Sequence, residues 1–356
     1  LLLLKKLKIE LFNKIKNWEQ WPFKVLYAPI APVWIWYMIR SRAVWFFTPS
    51  NPKLTFGGLD GEPKKEMHDL LPPEFCPSYF NIKPSDPFPE IQKKLKSSGI
   101  KYPLIVKPEV GGQGILFRKI ENEEHLKEYH SKIPVEYFIQ EFIEYPVEVS
   151  LFYYRYPNEK KGAITGFLQK VPMRVTGDGI HNLGQLLLNN LKTKKRLAEL
   201  KLKHEINFEK IIPAGEVYIL SYAGNHNRGA DFFDLGAEIN DDLVNLLDKI
   251  SLGINDFFYG RYDIMCNSIE ELKQGKNFMI LEYNGCGAEP NHFYDTGYTL
   301  IEAWKEILKH WKILFEISRY NYKHGVPYWP LLKGLRFRRE TKKYYNLINK
   351  VDKEIS

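Results

Sequence analysis

The sequence predicts an α+β fold. From Tyr102 onward, strand-like and helix-like runs alternate. Hydrophobic residues make up 44% and charged residues 26% of the 356 residues, enough apolar surface for a packed core. No internal repeat divides the chain. Cys76, Cys266 and Cys286 are far apart and form no CxxC pair, so neither a zinc site nor a disulfide framework is expected. A reducing, cytoplasmic setting fits that usage.

The formal net charge of +8 suits nucleic acid, an anionic membrane surface or a polyanionic ligand. Its lysines are spread along the chain rather than gathered in one arm, which argues against nucleic acid. Four leucines precede Lys5, Lys6 and Lys8, the reverse of a signal peptide's order.

In chain order, residues 1–20 read as an amphipathic basic helix with Leu4, Leu7, Leu11 and Ile15 on one stripe. Such a helix docks on its own core or lies on a membrane surface. The segment Trp21–Phe47 is strongly aromatic, and its uncharged run Val25–Ile39 contains Pro29 and Pro32. That run is shorter than the roughly 20 apolar residues of a membrane-spanning helix. Trp18, Trp21, Trp34, Trp36 and Trp45 flank it with Lys24, Arg40 and Arg42 in the manner of interfacial anchors. A helical hairpin is expected, touching a membrane peripherally or re-entrantly through residues 1–47. A soluble aromatic core or a dimer interface gives the same composition.

Residues 48–101 are rich in Pro and Gly and read as connecting structure around one short helix. Strands are expected at Ile105–Lys107, Tyr137–Gln140, Glu148–Tyr154, Gly162–Val171, Val217–Tyr222, Arg261–Met265 and Phe278–Glu282. Helices are expected at Glu121–Ser131, Leu183–Leu202, Asp241–Leu252 and Thr299–Ile317. This gives an N-terminal segment 1–60, a linker with a short helix 61–101, a small subdomain 102–145, a large subdomain 146–325 and a basic tail 326–356.

The chain has no GxxxxGK[ST] loop, no strand–GxGxxG–helix unit, no HExxH and no GxSxG. Three stretches carry chemistry instead. In YPLIVKPEVGGQG a strand delivers Lys107, and Gly111, Gly112 and Gly114 form a loop whose N–H groups can cover phosphates. A Gly-rich hairpin turn has the same composition. In YFIQEFIEYPVEVS, Gln140 and Glu141 end a strand and Glu148 follows, positions that can offer an adenine edge and ribose hydroxyls their partners. Exposed acidic loop residues read the same way. In GRYDIMCN and NFMILEYNGCG, Asp263 lies on one strand, and Glu282 and Asn284 alternate on the next. Such oxygen ligands suit Mg²⁺, and Arg261 on the same side could neutralise a phosphoryl group. An Arg–carboxylate salt bridge across two strands is the competing reading.

The order and spacing of these stretches resemble the ATP-grasp superfamily, in its D-alanine–D-alanine ligase-like group, over roughly residues 61–300. The resemblance implies two α+β subdomains clasping ATP. Lys107 and either Lys64 or Lys65 would contact phosphates, and Gly111, Gly112 and Gly114 would close over them. Gln140, Glu141, Phe142 and Ile143 would line the adenine, and Glu148 would hold the ribose. Asp263, Glu282 and Asn284 would bind two Mg²⁺ ions, with Mn²⁺ as a substitute, and Arg261 would stabilise transfer. VPMRVTGDGIHNLGQLL and GNHNRGADFFD are similar to segments of cyanophycin synthetase-like and glutamate–cysteine ligase-like enzymes of the superfamily. They add Arg174, Asn225, His226 and Arg228 as candidates, Arg174 and Arg228 as catalytic cations. Glu289 and His292 stand where D-alanine ligases hold their second substrate, and the usual N-terminal domain gives way to the aromatic segment.

The expectation is a carboxylate–amine ligase acting through an acyl phosphate on small or lipid-linked substrates, in the cytoplasm or at the inner membrane face. A phosphotransferase acting on a small or lipid-linked alcohol and a non-catalytic membrane scaffold are the alternatives.

Overall fold

The computed structural model describes residues 18–355 apart from 113, 195, 222–223, 225–228 and 255–256. Most of the expected basic helix at 1–20 lies outside the described residues, as do Asn225, His226 and Arg228.

The elements run α1 (Phe23–Tyr27), α2 (Ala31–Ser41), α3 (Lys64–Leu70), β1 (Tyr79–Ile82), α4 (Phe88–Ser98), β2 (Leu104–Pro108), β3 (Arg118–Ile120), α5 (Glu123–Lys132) and β4 (Tyr137–Glu141). They continue through β5 (Val147–Tyr154), β6 (Ala163–Val171), β7 (Arg174–Thr176), α6 (Leu183–Asn189), α7 (Leu191–Lys194), α8 (Leu197–Lys203), β8 (Val217–Ile219) and β9 (Asp231–Asp234). The last are α9 (Asp241–Ile254), β10 (Tyr259–Cys266), α10 (Ile269–Lys273), β11 (Phe278–Asn284), α11 (Leu300–Lys323) and α12 (Leu331–Ile355). The α+β expectation holds.

Four antiparallel strands in the order β1-β4-β2-β3 form the smaller sheet. Leu104, Val106, Tyr137 and Ile139 turn one face toward Ile91, Leu95, Leu126 and Tyr129 of α4 and α5. The period of two sends Ile105, Lys107, Phe138 and Gln140 to the opposite face. Both faces of β2 are buried. Local signals start and stop the covering helices: the Asn122 side chain accepts from His125 N at the head of α5, and Gly99 ends α4 at φ +76°.

Five antiparallel strands in the order β11-β10-β5-β6-β9 form the larger sheet. One face buries Val149, Leu151, Tyr262, Ile264 and Ile280 against Leu243, Leu247 and Ile250 of α9. The other carries Glu148, Ser150 and Phe152 beside Arg261, Asp263, Glu282 and Asn284. Strands β7 and β8 form a separate two-stranded sheet.

Two sequence expectations change. The helix expected over Leu183–Leu202 breaks into α6, α7 and α8, because Asn190 is extended (φ −104°, ψ 126°) and Thr193 Oγ1 bonds back to the Leu187 carbonyl. Residues 48–101 hold two α-helices and strand β1, not one short helix, because β1 finds its ladder only by pairing with the distant β4. The basic tail is the 25-residue helix α12, which packs back on the smaller sheet. There Ile348 and Val351 join its core, and Asp352 accepts from Leu116 N at 3.0 Å and Arg118 Nη2 at 2.9 Å.

The aromatic segment forms the helices α1 and α2, which dock on α11. Trp18, Leu26 and Ile30 bury against Ala303 and Ile307, Tyr37 stacks on Phe315 at 4.4 Å, and Trp304 Nε1 donates to the Leu26 carbonyl at 2.8 Å. The soluble-core alternative accounts for the rings that dock there. No helix among the described residues is long and apolar enough to cross a membrane. The 11 residues of α2 span only ~16 Å at 1.5 Å per residue, against a hydrocarbon core of ~30 Å.

Ile348 is fully buried and Leu347 is 43% exposed. Ile348→Ala should cost about 2–5 kcal/mol and Leu347→Ala within about 0.5 kcal/mol, read by denaturant unfolding. Equal effects would mean that α12 does not pack on the smaller sheet.

Candidate active site

The pleat of β10 and β11 decides the centre of the site. Arg261 pairs with Asn284 and Asp263 with Glu282 across the ladder, so all four side chains share one face. Arg261 Nε donates to Asp263 Oδ1 at 3.1 Å, and Asn284 Nδ2 lies 3.4 Å from Asp263 Oδ2. The Arg–carboxylate contact thus runs along one strand, and Glu282 is left to partners from outside the sheet.

Those partners come from α3 and β2. Lys64, the first residue of α3, donates to Glu282 Oε1 at 3.1 Å and to the Gly111 carbonyl at 2.6 Å. Lys65, one residue on, points outward and pairs with Asp69 at 2.6 Å on the surface, so of the two only Lys64 faces the cleft. Lys107 is buried and reaches the Leu281 carbonyl at 3.4 Å. Burial and the nearby Lys64 ammonium lower its pKa to about 8. Burial raises the Glu282 carboxyl, but Lys64 and Lys107 outweigh it, and the group is held below its usual range.

Lys170 on β6, absent from the sequence reading, completes the cluster. It is 4% exposed and pairs with Asp263 Oδ1 at 2.9 Å and Glu148 Oε1 at 3.3 Å. Ser150 donates to Asp263 at 2.9 Å. Burial works against ionising Asp263, yet Arg261 and Lys170 hold its carboxyl well below the ordinary carboxylate range. Glu148, with fewer partners, is pushed up by burial. The ladder pairs Lys170 with Glu148. The alternation in FLQK was the available signal, but a lone lysine in a strand carries no mark of its partner.

A cleft of about 400 Å³ opens beside the cluster, lined by Lys64, Glu282 and Asn284, by Gly111 and Gly112 of the glycine loop, and by Tyr345 and Asn349 of α12. Gly114 takes φ +71°, a conformation that glycine adopts without strain. Asp60 and Glu62 also line it. Glu62 Oε2 is buried without a hydrogen-bond partner, and burial raises its pKa to about 7. Between the two sheets, both ring nitrogens of His68 and Oε1 of Gln140 are buried and unpartnered. His68 packs tilted against Tyr79 with ring centroids 4.4 Å apart, and burial together with Lys107 and Lys64 lowers its pKa to about 3.

Other expected positions lie apart. Glu141 accepts from Ser78 N at 3.3 Å, Phe142 sits under Lys119 Nζ at 4.7 Å, and Ile143 is buried. None of these three lines the cleft. Glu148 is engaged by Lys170 at 3.3 Å. Arg174 is exposed on β7, in the two-stranded sheet. Glu289 accepts from Tyr27 at 2.7 Å and Tyr294 at 3.1 Å, and its carbonyl lies 3.3 Å from Arg261 Nη1, so the aromatic segment touches the rim of the site.

No family model and no curated protein matches the chain. Among solved structures, it is similar to the bifunctional glutathione synthetase from Pasteurella multocida at 15% identity and a TM-score of 0.36 over 69% of this chain and 35% of that one. It is similar to the D-alanine–D-alanine ligase from Bacillus anthracis at 15% identity and 0.41 over 74% and 69%. It is similar to the VanG D-Ala:D-Ser ligase from Enterococcus faecalis at 13% and 0.40 over 75% and 62%. The chain spans about a third of the synthetase and about two thirds of each ligase.

Two predictions follow from the buried charges. Lys170→Met strands Glu148 and Asp263 side by side and should cost about 3–5 kcal/mol at neutral pH. The loss should shrink in acid as the carboxylates protonate, and a flat pH dependence would refute this pairing. A carboxyl whose folded pKa is raised resists ionisation, so Glu62 costs stability as pH rises from 4.5 through about 7. Glu62→Gln should match the parent near pH 4 and exceed it by up to about 3 kcal/mol above pH 7. Thermal unfolding across that range checks it.

Proposed function

We propose that the chain is an ATP-grasp enzyme, a carboxylate–amine ligase that forms an amide bond through an acyl phosphate and releases ADP. The observation that carries the reading is one buried cluster between the two sheets: Lys64, Lys107, Lys170 and Arg261 around Glu148, Asp263 and Glu282. So many buried charges are costly for stability alone and are typical of a site where charge is transferred.

In this reading the nucleotide lies between the sheets, with its base toward His68 and Gln140, whose unpartnered polar atoms await a hydrogen-bonding edge. Gln140, Glu141, Phe142 and Ile143 flank that end, and Glu148 could turn from Lys170 to the ribose. The triphosphate runs under Gly111, Gly112 and Gly114, toward Lys64 and Lys107. Anionic phosphate beside Lys107 would restore its full charge. Asp263, Glu282 and Asn284 fit Mg²⁺, since their oxygens are hard donors gathered on one face. Two ions, or Mn²⁺ in their place, would supply neutralisation of the phosphoryl charge.

A substrate carboxylate oxygen attacks the γ-phosphorus, the bond to the β-phosphate bridging oxygen breaks, and ADP leaves. Arg261 offsets charge on the transferred group. An amine then attacks the acyl carbon and phosphate departs. Glu62, with a pKa near neutrality, is suited to take the proton that the amine loses. Arg174, Arg228 and Asn225 remain proposals from the sequence resemblance.

Asp263→Asn and Glu282→Gln should each lower Mg²⁺-dependent ADP release by at least about 100-fold. Hydroxylamine added to enzyme, ATP and a screen of amino acids and peptide acids should trap a hydroxamate. ADP release with an alcohol and no hydroxamate would make the chain a phosphotransferase, and unchanged ADP release in both variants would sink the site.

A membrane contact is favoured by one observation. Phe23, Ile35, Trp36 and Ile39 on α1 and α2 are more than half exposed, next to Lys24 and Arg40. The proposed contact is interfacial, at the cytoplasmic face, and suits lipid-linked substrates. The chain should float with anionic vesicles, and Trp36→Ser with Ile39→Ser should abolish flotation without changing the fold.

A further inference from the structure

We propose that His292, Glu306 and His310 form a site for a divalent transition metal of the Zn²⁺ class, separate from the phosphate-side cluster. One ligand atom from each, two imidazole nitrogens and a carboxylate oxygen, lie within 4.8 Å of one another. His292 belongs to the loop after β11, and Glu306 and His310 stand one helical turn apart on α11. Cysteine spacing gave no hint of zinc, and this donor set contains no cysteine.

The distances fit a cation better than a hydrogen-bonded triad. His310 Nε2 and His292 Nε2 lie 3.3 Å and 3.5 Å from Glu306 Oε1. A charge-assisted hydrogen bond would be about 2.7–2.9 Å. Metal–ligand bonds of about 2.0–2.1 Å in a tetrahedron set ligands roughly 3.3–3.4 Å apart. Both Nε2 atoms are buried without an aligned partner, a cost that a metal would remove.

The surroundings are built for it. The Tyr259 hydroxyl contacts His310 Nδ1 at 3.2 Å, leaving Nε2 toward Glu306 and orienting the ring as an outer partner of a metal ligand does. Phe152 packs edge-on against that ring at 4.3 Å. Gly166 lies under the His292 ring, where a Cβ would come within 2.1 Å of Nδ1. Lys309 Nζ, 3.0 Å from Glu306 Oε1, is 52% exposed and free to swing into water when a cation takes that oxygen. Nitrogen donors favour Zn²⁺ and its neighbours over Mg²⁺. Three protein ligands leave a fourth position for water.

Such an ion would clamp α11 to the loop carrying Asn291. The Asn291 side chain lies 3.5 Å from Ser150 Oγ, which donates to Asp263. The clamp would thereby brace the active-site cluster from behind.

The full chain, stripped with a chelator, should bind one equivalent of Co²⁺ with the visible bands of a four-coordinate ion, and Zn²⁺ should displace it. Zn²⁺ should raise Tm by about 5 °C. Glu306→Gln and His292→Ala should lose both signals, while Asp263→Asn should keep them, which separates this site from the Mg²⁺ reading. Absence of the bands in the unaltered chain, or bands unchanged in Glu306→Gln, would overturn the proposal. If His292→Ala fails to fold, the parent titration and Glu306→Gln decide alone.

Discussion

The Asp263 carboxylate is the constraint on which the larger sheet and the site both depend. It sits on a central strand, almost wholly buried, and is compensated from three strands at once: Arg261 on its own strand, Ser150 on β5 and Lys170 on β6. A carboxylate at such depth is tolerable only because these donors are fixed by the ladder before they meet it. The same arrangement holds it ionised. Stability and chemistry therefore compete for the same charges, and a ligand that draws Lys64, Arg261 or Lys170 away must return equivalent compensation.

The cleft is made by docking rather than by either sheet. Gly111 and Gly112 come from the loop after β2 of the smaller sheet, Glu282 from the larger one, and Lys64 from a helix that bonds to both, through the Gly111 carbonyl and Glu282. On the far side, α12 crosses over the glycine loop and contributes Tyr345 and Asn349 to the lining. The aromatic segment supports the rim in turn, through Tyr27 on Glu289. Parts of the chain outside the motif-bearing region thus complete the site, which explains why the cleft draws on residues 58–64 and 345–349 as well.

Motifs made of neighbours in sequence were readable. Glu282 with Asn284, and Arg261 with Asp263, announced shared faces through strand period, and Lys107 followed from a strand ending at proline and glycine; the β10–β11 register then joined the two pairs. Lys170 was not readable, because a lysine in an apolar strand looks the same whether it snorkels to water or bridges two carboxylates. Glu62 and His68 were equally silent: their significance is burial without a partner, a property of surroundings rather than of spacing. The aromatic segment was ambiguous for a related reason. Tryptophans with flanking cations mark a membrane interface or a helix-docking surface equally well, and only the distant α11 shows which of them dock.

The sequence by itself determined local periodicity, caps and breakers, and hence the α+β class, most strands and the face that Glu282 shares with Asn284. The tertiary structure alone decided which of Lys64 and Lys65 faces inward, where the basic C-terminal helix packs, and that His292 meets Glu306 and His310. The physical reason is range: hydrogen-bond periodicity acts over a few residues, whereas burial and charge compensation depend on groups that only the folded chain brings together.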